Sequence, residues 1–192
     1  MDKNEIEYWN NFYLSKGGVK NCSDFCNFVI NYFKDNKEIL KVLDCGCGNG
    51  RDSYELSNYY KVLGVDSSGF IPSNKDNVTF CNDNFITIDK NNYDLIYSRF
   101  TFHSIMDEHQ ILFLDSIKNN SYLAIETRSI KGESNSVYHG KNHFRNYTDV
   151  NYLKKILTEK NFKILFIKED LNMAIYKNEN PICIRVICKK LC

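Results

Sequence analysis

Apolar residues recur along this chain in two rhythms. In "SDFCNFVINYFKDN", Phe25, Phe28, Val29, Tyr32 and Phe33 repeat at three- and four-residue spacing. That spacing predicts an amphipathic helix over 23–36, with Ser23 as its N-cap. A helix over 5–15, "EIEYWNNFYLS", precedes it. Short apolar runs then take over: "KVLDC" (41–45), "KVLGVD" (61–66), "VTFCND" (78–83) and "YDLIYS" (93–98). "SYLAIET" (121–127), "FKILFIKED" (162–170) and "PICIRVICKK" (181–190) complete the strands.

Helical stretches separate several of these runs: "RDSYELSNYY", "DEHQILFLDSIKN" and "DVNYLKKILTEK". In the second, Asp107 and Gln110 form a loose capping box, with Ile111, Leu114 and Ile117 on one face. The third opens at Thr148 and stops at Asn161, a residue that tolerates the left-handed cap. Strands alternating with helices mean a parallel α/β sheet with crossovers. One interval breaks the pattern. Between Asp66 and Val78 lies only "SSGFIPSNKDN", too short for a helix and its loops, so a turn or a single helical turn is expected around Pro72. No repeat or low-complexity linker interrupts the chain, and "GESNSVYHGKN" (132–142) is the one long polar loop.

Composition narrows the function classes. The chain has 192 residues, which suits one domain with a real core. Its net charge is +1, so no overall field draws in nucleic acid. No apolar run is long enough to span a bilayer. Residues 1–10 are polar, without the apolar core of a leader, so the cytoplasm is the expected compartment. Eight cysteines form no pair of CxxC knuckles, so neither structural zinc nor a disulfide framework is expected. They read as reduced, mostly buried small hydrophobes.

The chemistry concentrates in "KVLDCGCGNGRDS". A strand ends at an acid, Asp44, and three glycines follow at every second position. Such a turn lets main chain approach a ligand closely. The dinucleotide fingerprint is GxGxxG, whereas this stretch reads GxGxG over Gly46, Gly48 and Gly50. Asp44 would repel a pyrophosphate and suit a cationic or amino-bearing ligand. A second acid, Asp66, ends the next strand, where it can accept hydrogen bonds from two ribose hydroxyls. The site therefore wants a ribonucleoside with a positive charge nearby.

That constellation resembles the class I methyltransferases that use S-adenosylmethionine, over most of the chain. "DCGCGNG", "GVDSS", Asp83 in "CNDNF" and the strand "YDLIYSRFTFHSI" match their motifs in order. The resemblance implies a Rossmann-like seven-stranded α/β sheet, mostly parallel with an antiparallel C-terminal strand, and helices on both faces. It implies one domain over 1–192, with a helical lid over 1–36 and a cofactor-binding core over 41–190. It implies S-adenosylmethionine as cofactor, held by Asp44, Gly46, Cys47, Gly48, Asn49, Arg51, Asp52, Asp66, Ser67, Asn82, Asp83, Asn84, Phe85 and Ser98. Asp83 would contact the adenine amino group. "GNGRDS" and "YWNNFY" also look like small bacterial enzymes encoded among surface-polysaccharide genes.

Methyl transfer from a sulfonium needs alignment and exclusion of water, and no metal. A hydroxyl acceptor needs a base; a phosphate or carboxylate does not. His103, just beyond the fourth strand, is the candidate base, the plainer alternative being a polar filler under the next helix. Arg99, Arg128, His143 and Arg145 would suit a small anionic acceptor such as a sugar nucleotide or phosphorylated saccharide, or are ordinary surface charge. Tyr8, Trp9 and Tyr13 are either core or an aromatic lid near the sulfonium. Two other outcomes stay open: a small-molecule N-methyltransferase, and a binding module without catalysis.

Overall fold

The computed structural model describes residues 3–16, 19, 21–131, 138–139, 143–176 and 178–192. A helix α1 (Lys3–Lys16) and a helix α2 (Asp24–Phe33) precede the sheet. Then come β1 (Lys41–Cys45), α3 (Arg51–Leu56), β2 (Lys61–Asp66), β3 (Val78–Asn82) and β4 (Leu95–Arg99). After a short 3₁₀ turn (Phe102–Ser104) follow α4 (Asp107–Asp115) and β5 (Tyr122–Arg128). A two-residue ribbon, β6 (Tyr138–His139) with β7 (His143–Phe144), leads to α5 (Val150–Glu159), β8 (Phe162–Asp170) and β9 (Cys183–Lys190).

Seven strands form one sheet in the order β3-β2-β1-β4-β5-β9-β8. The first five are parallel, and β9 runs antiparallel to both β5 and β8. The resemblance implied this arrangement. Connections reverse direction between β1 and β4, so their carboxyl ends flank a crevice. One face of the sheet packs Phe25, Val29, Phe33 and Leu56 from α2 and α3 against Val42, Leu95 and Tyr97. The other packs Phe113, Leu114, Leu153 and Leu157 from α4 and α5 against Leu43, Ile96 and Ile125. The parallel strands read as apolar runs because both faces are covered.

Local signals held in several places. Ser23 caps α2, its hydroxyl accepting from Cys26 N–H at 3.0 Å. Asn161 takes the left-handed conformation at φ 59° after α5. The interval between β2 and β3 has no helix. Others did not. The capping box at Asp107 and Gln110 is absent: Met106 is the cap, without a side-chain bond. Gln110 instead donates to Phe102 C=O at 2.9 Å, because burial leaves its amide no water. Asp149, not Thr148, caps α5, accepting from the Asn151 and Tyr152 N–H groups. The helix after the glycines ends at Leu56, shorter than its apolar pattern. All eight cysteines are free; Cys26, Cys45, Cys183 and Cys188 are buried. Most of the polar loop at 132–142 lies outside the described residues.

Candidate active site

The glycine loop leaves β1 at Cys45 and turns against β2. The Gly46 and Cys47 N–H groups both donate to Val65 C=O, at 2.7 and 3.1 Å. Gly46, Gly48 and Gly50 all have positive φ, at 73°, 55° and 77°. Space is as restrictive as conformation. A Cβ on Gly46 would fall 2.0 Å from Thr101 Cγ2, and one on Gly48 2.3 Å from the Tyr13 hydroxyl. Asp66, at the end of β2, ties the loop down. One carboxylate oxygen accepts from Gly48 N–H and the other from Ser68 N–H, each at 2.8 Å. Each oxygen keeps a second lone-pair site, so Asp66 can still accept from a ligand.

Asp44 lies just below this loop, 2% exposed, accepting from Ser53 Oγ at 2.5 Å. Burial, helped by the nearby Asp52 and Asp66 and opposed by the Ser53 bond, raises its carboxyl to about 7. Such an acid gains most from a cation beside it. Beyond β3, Asp83 is exposed and Asp83 N–H donates to Asp66 C=O at 3.2 Å. Asn82 donates to Ser68 C=O, and Asn84 accepts from Ile86 N–H at 2.9 Å. Ser67 is half-buried beside Asp66. Asp44, Asp66 and Asp83 thus line the carboxyl ends of neighbouring strands. A rim of acids around a glycine turn fits an amino- and hydroxyl-bearing nucleoside and disfavours a pyrophosphate.

Helix α1 closes on the same loop. The half-buried Tyr13 stacks on Trp9 at 5.9 Å and tilts against Phe70 at 6.1 Å. Trp9 meets Tyr8 edge-on at 5.2 Å. Asn10 accepts from Gly69 N–H, and Asn49 donates to Val19 C=O at 3.1 Å. Burial, with Asp66 next in weight, holds the Tyr13 phenol well above its ordinary range, so it stays protonated.

Other expected residues take different places. Asp52 is a buried anchor: it accepts from Ser23 N–H, Ser23 Oγ and Tyr97 OH, all at 2.7 Å. Three of its acceptor positions are taken by protein, and it joins α2 and α3 to β4. Arg51 lies 3.7 Å from that carboxylate. Phe85 is 4% exposed and packs edge-on against Phe113 at 5.9 Å, so it belongs to the core. Cys47 is half-buried, packed against the apolar layer beneath α2 and α3. The Ser98 hydroxyl, 1% exposed, pairs with Thr101 Oγ1 at 2.5 Å.

The acceptor edge is built by strand register. Arg99, Glu126 and Arg185 are direct neighbours across β4, β5 and β9. Glu126, wholly buried, takes Arg99 Nε on one oxygen at 2.9 Å and Arg185 Nε on the other at 2.6 Å. Burial raises the Glu126 carboxyl, and the two guanidiniums pull it back down. Arg99 also lies over the Phe100 ring at 4.3 Å. Phe100 itself has φ 59°, an uncommon conformation for a non-glycine residue and one that clusters at functional sites.

Of the five expected cations, Arg99 and Arg128 lie over the Phe100 ring and His103 packs edge-on against it. Arg99 is engaged by Glu126, and Arg128 by Glu179 at 2.7 Å. Arg145 Nε is buried and has no hydrogen-bond partner among the described residues. His143 pairs with His139 in the short ribbon, and its side chain lies outside the described residues. His103 is 4% exposed, and the Arg128 backbone N–H donates to its Nδ1 at 3.2 Å. A backbone N–H can only donate, so Nδ1 is an acceptor and the neutral ring carries its proton on Nε2. That tautomer makes Nε2 a donor, which runs against the expected general base. Thr101, Glu126, Arg185 and Tyr97 were not anticipated. Their roles come from register and from contacts across the fold, which no local motif announces.

Among the described residues no group of three or more His, Cys, Asp or Glu could hold a metal ion. No described helix is long and apolar enough to cross a membrane.

Comparison with known proteins agrees with this geometry. Residues 43–116 match a family model described as a methyltransferase domain. The fold is that of the Rossmann-like S-adenosylmethionine-dependent methyltransferases. Among individual proteins, the chain is 27% identical over 158 residues to malonyl-[acyl-carrier protein] O-methyltransferase 2 of Ilyobacter polytropus, covering 72% of this chain. The chain spans 61% of the length of that curated relative. In structure it resembles the 1,6-didemethyltoxoflavin-N1-methyltransferase of Burkholderia thailandensis, solved with S-adenosylhomocysteine. The TM-score is 0.72, with 14% identity, over 98% of this chain and 85% of that one. It equally resembles the [4+2]-cyclase SpnF, with TM-score 0.71 and 12% identity, over 98% of this chain and 95% of that one. A shared fold thus carries more than one chemistry, and the site has to decide.

Proposed function

We propose that the chain transfers a methyl group from S-adenosylmethionine to a small anionic acceptor. The observation that carries it is Asp66 accepting Gly48 N–H at 2.8 Å above the buried acid Asp44. Asp66 would receive the ribose hydroxyls, Asp44 would face the cationic amino-acid end, and Asp83 would take the adenine amino group. Bound there, the cofactor supplies a methyl group on a sulfonium, a leaving group already activated. The chain's own work is alignment and dryness. In this reading residues 1–36 act as a lid, with Tyr13 and Trp9 covering the loop, and 41–190 form the core.

The anionic character of the acceptor is supported by Arg99 at the carboxyl end of β4. Nothing among the described residues speaks for a sugar ring, so the saccharide part of the expectation has no structural support. The curated relative from Ilyobacter is named an O-methyltransferase, which favours oxygen over nitrogen as the methylated atom.

Calorimetry with S-adenosylmethionine, S-adenosylhomocysteine and NAD tests the cofactor half. Binding of the first two and not of NAD is expected; the reverse result ends this reading. Screening anionic metabolites by mass spectrometry for a methyl mass gain tests transfer. Binding with no turnover across that screen would favour a cofactor-binding module.

A further inference from the structure

We infer that the carboxylate at the cofactor's amino-acid end is received by the Tyr13 hydroxyl of α1 together with the Arg51 guanidinium, so that α1 is fastened to the glycine turn through the bound ligand. The inference rests on the methyltransferase reading. It assigns the negative group of the cofactor, which that reading leaves without a partner.

The groups assigned to the ligand so far are acids: Asp44, Asp66 and Asp83. A carboxylate entering that rim needs donors, and those of the glycine turn are largely spent. The Gly46 and Cys47 N–H groups donate to Val65 C=O, and the Gly50 N–H to Cys47 C=O at 2.9 Å. The Gly48 N–H donates to Asp66, and the Asn49 amide to Val19 C=O.

Two side chains beside the turn keep their donors. Tyr13 lays the end of its ring on Gly48: a Cβ there would fall 2.3 Å from the hydroxyl and 2.6 Å from Cζ. Trp9 and Phe70 hold the ring, and the hydroxyl makes no hydrogen bond among the described residues. Burial, then Asp66, Cys47 and Asp44, keep the phenol protonated against the pull of Arg51, so it stays a donor. Arg51 opens α3 directly after Gly50. Its side chain is 19% exposed, and its Nε stands 3.7 Å from Asp52, beyond hydrogen-bond reach. The guanidinium makes no hydrogen bond among the described residues. Its charge draws down both the Tyr13 phenol and the Asp44 carboxyl, so it acts on the turn from above and on the acid beneath. An amino acid carries an ammonium and a carboxylate on one carbon. Asp44 matches the first, and Arg51 with Tyr13 matches the second.

Helix α1 has a shallow seat. None of its described side chains is buried, whereas α2 buries Phe25, Cys26, Val29, Ile30 and Phe33. A carboxylate shared between Tyr13 on α1 and Arg51 on α3 adds charge-assisted hydrogen bonds across that seam. Closing the lid and recognising an intact amino-acid end are then one event. A ligand without the carboxylate fills the cradle and leaves α1 unfastened.

The test uses the full chain in calorimetry with S-adenosylmethionine, S-adenosylhomocysteine and decarboxylated S-adenosylmethionine, which keeps the sulfonium and the amine and lacks the carboxylate. Tyr13→Phe removes one hydroxyl and keeps the ring that stacks on Trp9. It should weaken the first two ligands about tenfold or more and leave the decarboxylated one within about twofold. Arg51→Met should show the same selectivity. Equal weakening of all three ligands would reduce Tyr13 to packing and overturn the inference, as would no weakening at all. Hydrogen exchange gives a second readout: S-adenosylhomocysteine should protect the α1 amides, and the decarboxylated ligand should not. Equal protection by both, or protection by neither, would overturn the fastening of α1. A parent chain that binds none of the three ligands would end the methyltransferase reading itself, a distinct result.

Discussion

Asp66 accepts the Gly48 N–H at 2.8 Å, joining the end of β2 to the middle of the turn that follows β1. The acid therefore does two things: it shapes the loop and keeps lone pairs for a ligand. Asp66→Ala should weaken S-adenosylhomocysteine binding by about 1.5–3 kcal/mol, the worth of hydrogen bonds to a charged acceptor. Calorimetry on the folded variant measures it. An unchanged dissociation constant would remove Asp66 from the ribose.

Gly46→Ala should be among the most damaging single changes in the loop. Its Cβ would fall 2.0 Å from Thr101 Cγ2, and its φ is 73°. The left-handed backbone alone costs about 1–2 kcal/mol for an L-residue. Thr101→Ser removes the clashing methyl and keeps the hydroxyl that pairs with Ser98. The double variant should therefore recover part of the lost stability in urea unfolding. No recovery would mean that backbone strain, and not the clash, dominates.

The charge state of Asp44 predicts a pH dependence with a definite sign. Its carboxyl is raised to about 7 in the folded chain, mainly by burial. Unfolded, it titrates near the ordinary value of about 4. Between those values the folded state holds the extra proton, so stability from this group falls as pH rises through the window and levels off above it. A cationic ligand favours the ionised form, so S-adenosylmethionine affinity should rise with pH up to about 7. Asp44→Asn should flatten both profiles. Parallel profiles in the variant and the parent would assign them to other groups.

Asp52→Ala should read as a stability variant and not a binding variant. It strands Ser23 N–H, Ser23 Oγ and Tyr97 OH in the interior. Each buried polar group left unsatisfied costs about 1–3 kcal/mol. Tyr97→Phe, which removes a single donor, should cost less. Measured per folded molecule, S-adenosylhomocysteine affinity should stay within a few-fold of the parent. A large affinity loss in stably folded Tyr97→Phe would show that the anchor reaches the cofactor after all.

Much of the scaffold was legible along the chain because its signals are local. The apolar runs at 41–45, 61–66 and 93–98 need only their own composition to be strands with both faces covered. Ser23 caps α2 through a bond to a residue three positions on. Asp44, the spaced glycines and Asp66 announce a cradle because each sits at a strand end, where chemistry and backbone geometry are written together. The short interval before β3 excluded a helix by length alone.

Side-chain partners are a different kind of fact. Asp52 looks like a neighbour of the cradle in sequence, yet α3 turns it toward Ser23, 29 residues away, and Tyr97, 45 residues away. Arg99 and Arg185 meet only because β9 enters antiparallel beside β5, in a register that puts Glu126 between them. His103 looked like a base by residue type. What its ring nitrogens meet is set by the fold: the Arg128 backbone N–H, 25 residues away, donates to Nδ1, and an N–H can only donate. Composition and spacing select which residues stand at the carboxyl edge of the sheet. Which of them are spent on one another, and which keep an open end for a ligand, depends on distances across strands that no local pattern encodes.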